Sequence, residues 1–398
     1  MTRLLILLLF SSFLGCSYAQ NEALQSAAKT DTLRVGATNL DAYLPLLRNK
    51  RVGLIVNQSS LVGKQHLVDY LASQKLNIVS IFAPEHGFRG NIEAGKLVNN
   101  NIDKQTGVRV VSLYADHKKP TPDDLKGIDV LVFDIQDVGV RFYTYISTLY
   151  LAMQAANENG VAFIVLDRPN PLGDYVDGPV LEDDYKSFVG MLPIPIVHGL
   201  TVGELAWMIV GESWIDQSLG LHLDVIPCRG YTHHTPYTPP IKPSPNLPNI
   251  EAIRLYPSLC FFEATQVSIG RGTNSPFLQI GFPAKKMGSF SFKPRDIKGM
   301  QTNPLHEGKK CYGVDLSKLD PWAQKFSLDY IIKWNGKFPP NDPMINNERW
   351  FKLLAGNATL LDQIKAHTPE DEIRRSWKPA LDAYKIKRKK YLLYPDFE

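Results

Sequence analysis

Short, continuous apolar runs rich in β-branched residues recur through the first half of the chain, at Arg51–Val56, Asn77–Phe82, Val108–Leu113, Asp129–Ile135, Val161–Leu166 and Ile194–Val197. They do not alternate apolar with polar positions, so each predicts a strand buried on both faces. Stretches with helical spacing lie between several of them, notably Leu61–Ala72 and Phe142–Asn157, the second closed by Asn159-Gly160 as a C-cap. Strands alternating with helices predict an α/β fold, a Rossmann-like doubly wound parallel sheet over residues 33–242. Pro236, Pro239, Pro240, Pro243, Pro245 and Pro248 then break any helix or central strand. That run is a linker or a rigid extended loop at a site. Residues 246–398 predict a smaller α/β domain, ending in a helix on which Ile373, Trp377, Leu381 and Tyr384 share a face.

Composition changes this picture little. The chain has 398 residues, 44% hydrophobic and 21% charged, enough for two domains or one large domain with an appendage. A net charge of +4 is small for this length, and no nucleic-acid motif is present, so no nucleic-acid partner is expected. Lys385, Lys387, Arg388, Lys389 and Lys390 form the one dense basic cluster, which reads as a solvated helix face. The N-terminus is more informative. Arg3, the apolar run Leu4–Phe10 and the small residues that follow make residues 1–19 a signal peptide, too short for a membrane span. Ser17-Tyr18-Ala19 suits ordinary cleavage, whereas Phe13-Leu14-Gly15-Cys16 resembles a lipobox that would put a lipid anchor on Cys16. Both routes imply export to the periplasm or cell envelope. Cys228, Cys260 and Cys311 are too few and too far apart for a disulfide framework or a zinc motif; core positions, with one bridge left open, are expected.

Ligands of an open parallel sheet bind beyond the carboxyl ends of its strands. Those ends are followed by Asn57 and Gln58; by Glu85 and His86; by Tyr114 and Asp116; by Asp134, Gln136, Asp137 and Arg141; by Asp167, Arg168 and Asn170; and by His198. Amides and charges converging on one edge predict a polar cleft suited to sugars. Glu85 stands between Pro84, which restricts the backbone, and Gly87, which admits positive φ. A carboxyl at the floor of a cleft is desolvated, and desolvation favours the protonated form that a general acid needs. The alternative is a carboxylate that only holds its loop, through backbone N–H groups or Arg89. Asp134 could equally cap a turn, Asp137 and Arg141 could pair, and Asp167 and Asn170 could bond their own prolyl turn. Thr201-Val202-Gly203-Glu204 matches a capping box, which removes Glu204 from the catalytic candidates. In the second domain, Glu263–Asn274 is polar, and Gly270 and Gly272 bracket Arg271, a candidate anion ligand.

Other chemistries find no support. Gly90–Lys96 imitates a phosphate loop, but Leu97 stands where the Mg²⁺-binding hydroxyl belongs. Gly270-Arg271-Gly272 lacks the third glycine of a dinucleotide fingerprint, so no nucleotide cofactor is expected, and the lack of a Gly-x-Ser-x-Gly elbow and of a His-Glu-x-x-His counts against a serine hydrolase and a metal site.

Several segments, taken in order, resemble the exo-β-N-acetylmuramidases of the NamZ type. They are Pro84–Phe88, Asp134–Tyr145, Asp167–Pro171, His198–Thr201, Pro243–Pro248 and Gly270–Thr273, and they cover essentially the whole mature chain. The resemblance implies an active cleft between the two domains and removal of single N-acetylmuramic acid units from non-reducing ends of peptidoglycan fragments, with Glu85 as general acid. The second catalytic group stays open among Asp134, Asp137 and the substrate's own acetamido group. Arg141, Arg168 and Arg271 are candidates for the lactyl carboxylate. His86, Asn57, Gln136, Tyr143, Asp167, Asn170, His198, Asn246, Glu263 and Thr273 complete the expected substrate contacts. Two other readings remain open: a non-catalytic cell-wall sugar-binding lipoprotein, and an exported deacetylase or esterase acting on wall polymers.

Overall fold

The computed structural model of the protein describes residues 32–85, 87–89, 101–216 and 218–398. The signal peptide, Cys16, His86 and the phosphate-loop imitation at Gly90–Lys96 lie outside the described residues.

Seven strands form the main sheet: β1 (Arg51–Val56), β2 (Asn77–Ala83), β3 (Asn101–Ile102), β4 (Arg109–Ser112), β5 (Val130–Asp134), β6 (Ala162–Leu166) and, designated β9, Leu223–Ile226. The spatial order is β9-β6-β5-β1-β2-β4-β3; all neighbours are parallel except β3, which runs antiparallel to β4 at one edge. The chain therefore winds outward from β1 in one direction and then in the other, and the order reverses between β1 and β5. Alternate residues of each strand feed two separate cores. Val52, Leu54 and Val56 of β1 pack with Tyr43 and Leu47 of helix α1 (Leu40–Leu47) and with Val68 and Leu71 of helix α2 (Leu67–Ser73). Ile55, Phe82, Phe133 and Phe163 face the other way, onto helices α4 (Tyr145–Glu158) and α5 (Val202–Gly211); a one-turn helix α3 (Pro122–Leu125) precedes β5. Strands buried on both faces explain why the apolar runs show no alternation.

Three expectations need correction. The segment Leu61–Ala72 is not one helix: a small hairpin pairs Leu61–Val62 with Gln65–His66, and α2 begins only at Leu67, where the His66 side chain accepts from the Val68 N–H. The run at Ile194–Val197 is strand β8 (Pro195–Val197), but it pairs antiparallel with β7 (Asp177–Val180), outside the main sheet. The sixth parallel strand is instead β9, whose apolar run is interrupted by Asp224 because it is an edge strand paired only with β6.

The second half packs onto the α4–α5 core rather than standing apart. It holds helix α6 (Ile250–Leu259), a three-stranded antiparallel sheet in the order β10 (Gln279–Phe282), β12 (Cys311–Asp315), β11 (Phe290–Phe292), and helices α7 (Asp329–Asn335), α8 (Glu348–Ala355), α9 (Thr359–Lys365) and α10 (Glu370–Arg388). Ile373, Trp377 and Tyr384 are buried on α10 at the predicted spacing, with Leu381 half-buried between them and Arg388 buried in the last turn. That helix returns to the first half: Arg374 bonds Asp177 at 2.7 Å, and the Tyr384 hydroxyl donates to the His198 carbonyl at 2.7 Å. The basic cluster is mostly paired rather than simply solvated. Lys387 meets Glu212 at 2.8 Å, and Arg388 is buried against Asp396 and the Gly199 carbonyl. Cys228, Cys260 and Cys311 are all free and buried, so the bridge left open is not formed.

Candidate active site

Strand β2 ends in a tight turn. The Gly87 N–H donates to the Pro84 carbonyl at 3.0 Å, which puts Glu85 at the turn's first corner, and Gly87 has φ 75°. Only glycine takes that conformation without strain. Arg89 does not hold Glu85. Its guanidinium is occupied by Asp69 (3.0 and 3.2 Å) and Asp103 (3.0 and 3.1 Å), which fastens the loop to α2 and to the segment before β4. Glu85 is half-buried, and its one hydrogen-bond partner among the described residues is the Thr144 hydroxyl, at a loose 3.4 Å.

Glu85 opens onto a cavity of about 450 Å³ built by both halves of the chain. The first half supplies Glu85, Lys118, Phe188 and the segment Phe142–Tyr145; the second supplies Asn246, Tyr256, Glu263, Arg271, Phe277 and Trp350. Tyr143 lies edge-on to Tyr145 and Tyr256 at 4.9 and 6.1 Å, so these rings form one packed aromatic wall. Burial, reinforced by Tyr145 and the Asp137 carboxylate, holds the Tyr143 phenol well above its ordinary range. It therefore stays a neutral donor. Lys118 sits 4.9 Å above the Phe188 ring.

The proline run is the rigid loop at this site rather than a free linker. Gln58 donates to the carbonyls of Lys242 and Pro243, and the Tyr145 hydroxyl donates to Pro243 at 3.3 Å, which brings Asn246 to the cavity. The Asn246 amide nitrogen is tied to the Met300 carbonyl at 3.3 Å, while its oxygen is buried without a hydrogen bond. A 3₁₀ turn after α6, Cys260–Ala264, delivers Glu263. Arg271 reaches it from the glycine-bracketed turn, where Gly270 and Gly272 have φ 80° and 77°. Both Nε and Nη2 of Arg271 bond the same oxygen, Oε1 of Glu263, while Nη1 points to Gln301 at 3.4 Å and the guanidinium lies 5.2 Å over Phe277. Burial works against the Arg271 charge, but the Glu263 carboxylate outweighs it and raises the guanidinium's pKa. Glu263 and Arg271 also line a second cavity of about 270 Å³, with Thr265, Ser268 and Gln301 among its walls.

Glu85, Tyr143, Asn246, Glu263 and Arg271 are thus brought together from the predicted set. Tyr114, which follows β4, lines the cavity as well, and the other described candidates do not. Asp134 is fully buried and gives both oxygens to Arg168, at 2.6 and 2.9 Å, so neither partner is left for a ligand. Arg141 is buried too: Nη1 serves the carbonyls of Pro179 and Ile194, and Nη2 those of Leu354 and Ala355, which ties the two halves together. Asp137 does not pair with Arg141. One of its oxygens accepts from the Gly139 N–H at 2.6 Å, and His198 lies 3.8 Å away. Asp167 accepts from the Arg168 and Gly203 N–H groups and from the hydroxyls of Thr201 and Tyr394. Burial, opposed by these bonds, pushes its carboxyl up to about 6. Gln136, Asn170, Asn57 and Thr273 likewise bond neighbouring loops. Glu204 caps α5 as predicted, and also bonds His233 at 3.0 Å.

The family model for the N-terminal domain of exo-β-N-acetylmuramidase NamZ matches residues 52–251, and the one for its C-terminal domain matches residues 254–394. The chain belongs to the exo-β-N-acetylmuramidase NamZ family. It is similar over almost its full length to the peptidoglycan β-N-acetylmuramidase NamZ of Bacillus subtilis (strain 168), with 38% identity over 408 aligned positions covering 98% of this chain and 97% of that protein. A crystal structure of a DUF1343 family protein from Bacteroides fragilis NCTC 9343 superposes with a TM-score of 0.84 at 45% identity, covering 92% of this chain and all of that one. A second such protein from the same strain gives a TM-score of 0.79 at 30% identity, covering 91% of this chain and 99% of that one. The family resemblance read from the motifs and the α/β fold therefore both hold. The sequence reading missed Lys118, Tyr256 and Trp350. They belong to elements scattered along the chain, and Tyr256 and Trp350 sit in helices where an aromatic ordinarily reads as core.

Proposed function

We propose that the protein is an exported exo-β-N-acetylmuramidase that removes terminal N-acetylmuramic acid from peptidoglycan-derived fragments, with Glu85 as its general acid. One observation carries the assignment of Glu85: it is a half-buried carboxyl on a sugar-sized cavity, free of the adjacent Arg89 and held, among the described residues, only by a loose bond from Thr144. A carboxyl without a cationic partner, in a cavity walled by aromatic rings, suits protonation of a glycosidic oxygen as the oxocarbenium-like transition state forms. Membership of the NamZ family supports the substrate class. The cations on the cavity, Lys118 and Arg271, suit the lactyl carboxylate that distinguishes muramic acid from glucosamine. Arg141 and Arg168 are committed elsewhere and drop out of that role. The apolar run and cleavage motif within residues 1–19 support export, with Cys16 as the alternative, lipid-anchored start.

The test is release of free N-acetylmuramic acid from a MurNAc–GlcNAc disaccharide by wild type and by Glu85→Gln, with binding of the disaccharide measured for both. Wild-type release, together with lost turnover and kept binding in the variant, is expected. Tight binding without release by well-folded wild type would favour a sugar-binding protein instead.

A further inference from the structure

The acid has a counterpart. Among the described residues, Glu85 and Glu263 are the carboxylates that line the larger cavity, and each half of the chain supplies one. Their surroundings differ in the one respect that separates an acid from a base. Among the described residues Glu85 is hydrogen-bonded by a hydroxyl alone, whereas Glu263 is gripped by Arg271. The grip is one-sided: Nε and Nη2 both bond Oε1, and Oε2 carries no hydrogen bond to the described residues. Arg271 is itself immobilised by Phe277 beneath it, by Gln301 and by its two flanking left-handed glycines. A carboxylate fixed in place through one oxygen, with the other left open, is the arrangement a general base needs. Glu263 and Arg271 line both the larger cavity and the smaller one walled by Thr265, Ser268 and Gln301, so the Glu263 carboxylate borders space on both.

We infer that Glu263 is the second catalytic carboxylate, the base that activates water against the anomeric carbon, with Arg271 as its positioning residue. The inference rests on the glycosidase reading and deepens it. In this step the Oε2 atom of Glu263 takes a proton from water as the water oxygen bonds C1. The C1–O bond breaks with its electron pair going to the leaving oxygen, and Glu85 delivers its proton there. Hydrolysis then proceeds with inversion, and neither Asp134 nor Asp137 takes part.

Wild-type release of N-acetylmuramic acid is measured first; failure there sinks the substrate reading and not the assignment of Glu263. Where release is seen, proton NMR of the first-formed sugar decides the water route: the α-anomer is expected, and a β-anomer overturns it. Glu263→Ala and the near-isosteric Glu263→Gln are then compared with wild type on an aryl β-N-acetylmuraminide. Both variants should lose roughly 10²–10⁴ in kcat with binding of N-acetylmuramic acid kept. Azide should restore turnover of Glu263→Ala and yield the α-glycosyl azide. Unchanged kcat with a raised KM would make Glu263 a binding residue only, and no response to azide in a folded, sugar-binding Glu263→Ala would equally overturn the assignment.

Discussion

One group of polar residues sits beyond the carboxyl ends of the main sheet, another lines the cavity that Glu85 opens onto, and they do opposite work. Around the point where the strand order reverses, Asp134, Arg168, Gln136, Asp167 and Asn170 are almost wholly buried, and each is bonded to another part of the chain. At the cavity beside the end of β2, Glu85, Glu263 and Arg271 keep part of their surface and part of their bonding capacity open. Both groups are polar, and both contain carboxylates and guanidinium groups. What separates them is hydrogen-bond saturation: a buried polar group whose partners are all internal holds loops together, and one with an open atom can meet a ligand.

Breaking the saturated group should cost stability first. Asp134→Ala leaves the Arg168 guanidinium charged and unpaired in the core, and a loss of about 3–5 kcal/mol is expected in denaturant titrations. The molecules that remain folded should keep their specific activity, whereas a catalytic Asp134 would leave them inactive. Asp167 gives a smaller, pH-dependent effect. Its folded-state value of about 6 lies above the ordinary 3.8, so the folded state binds the proton more tightly. Its contribution to stability is fully present below about pH 4 and is lost as pH rises through about 6. Asp167→Asn should therefore flatten the fall in unfolding free energy between those limits, which the Asp167 shift sets at roughly 3 kcal/mol. An unchanged slope would mean that other groups set it.

In the open group the balance reverses. The Arg271–Glu263 pair is partly exposed, so Arg271→Met should cost no more than about 1 kcal/mol of stability. It should nevertheless lower kcat as well as raise KM, with partial recovery in Arg271→Lys; an effect on KM alone would confine Arg271 to binding. Glu85→Gln should shift stability least, by less than about 0.5 kcal/mol, because only one loose bond from Thr144 is altered.

The same contrast explains what the sequence reveals. Strands buried on both faces announce themselves as unbroken apolar runs, so β1, β2, β5 and β6 are legible from pattern alone. The edge strand β9 is not, because Asp224 interrupts it, and β8 reads as one more parallel strand because pattern carries no pairing partner. Position after a strand marks Asp134 and Glu85 equally. Only the fold shows that Arg168 reaches Asp134 while Arg89 turns away from Glu85. Tyr256 and Trp350 reach the cavity from α6 and α8, and no local signal distinguishes them from core aromatics. The role of Arg141 is hidden for a similar reason: its carbonyl partners lie as far along the chain as Ala355.

The most direct test of Glu85 as the acid is a leaving-group comparison. Turnover of Glu85→Gln, relative to wild type, is measured on the MurNAc–GlcNAc disaccharide and on the 2,4-dinitrophenyl β-glycoside of N-acetylmuramic acid, whose phenolate departs without a proton. A deficit of roughly 10²–10⁴ on the disaccharide that shrinks to about tenfold or less on the dinitrophenyl glycoside is the predicted result. An equal deficit on both substrates would contradict it, because the carboxyl would then act on something other than the departing oxygen.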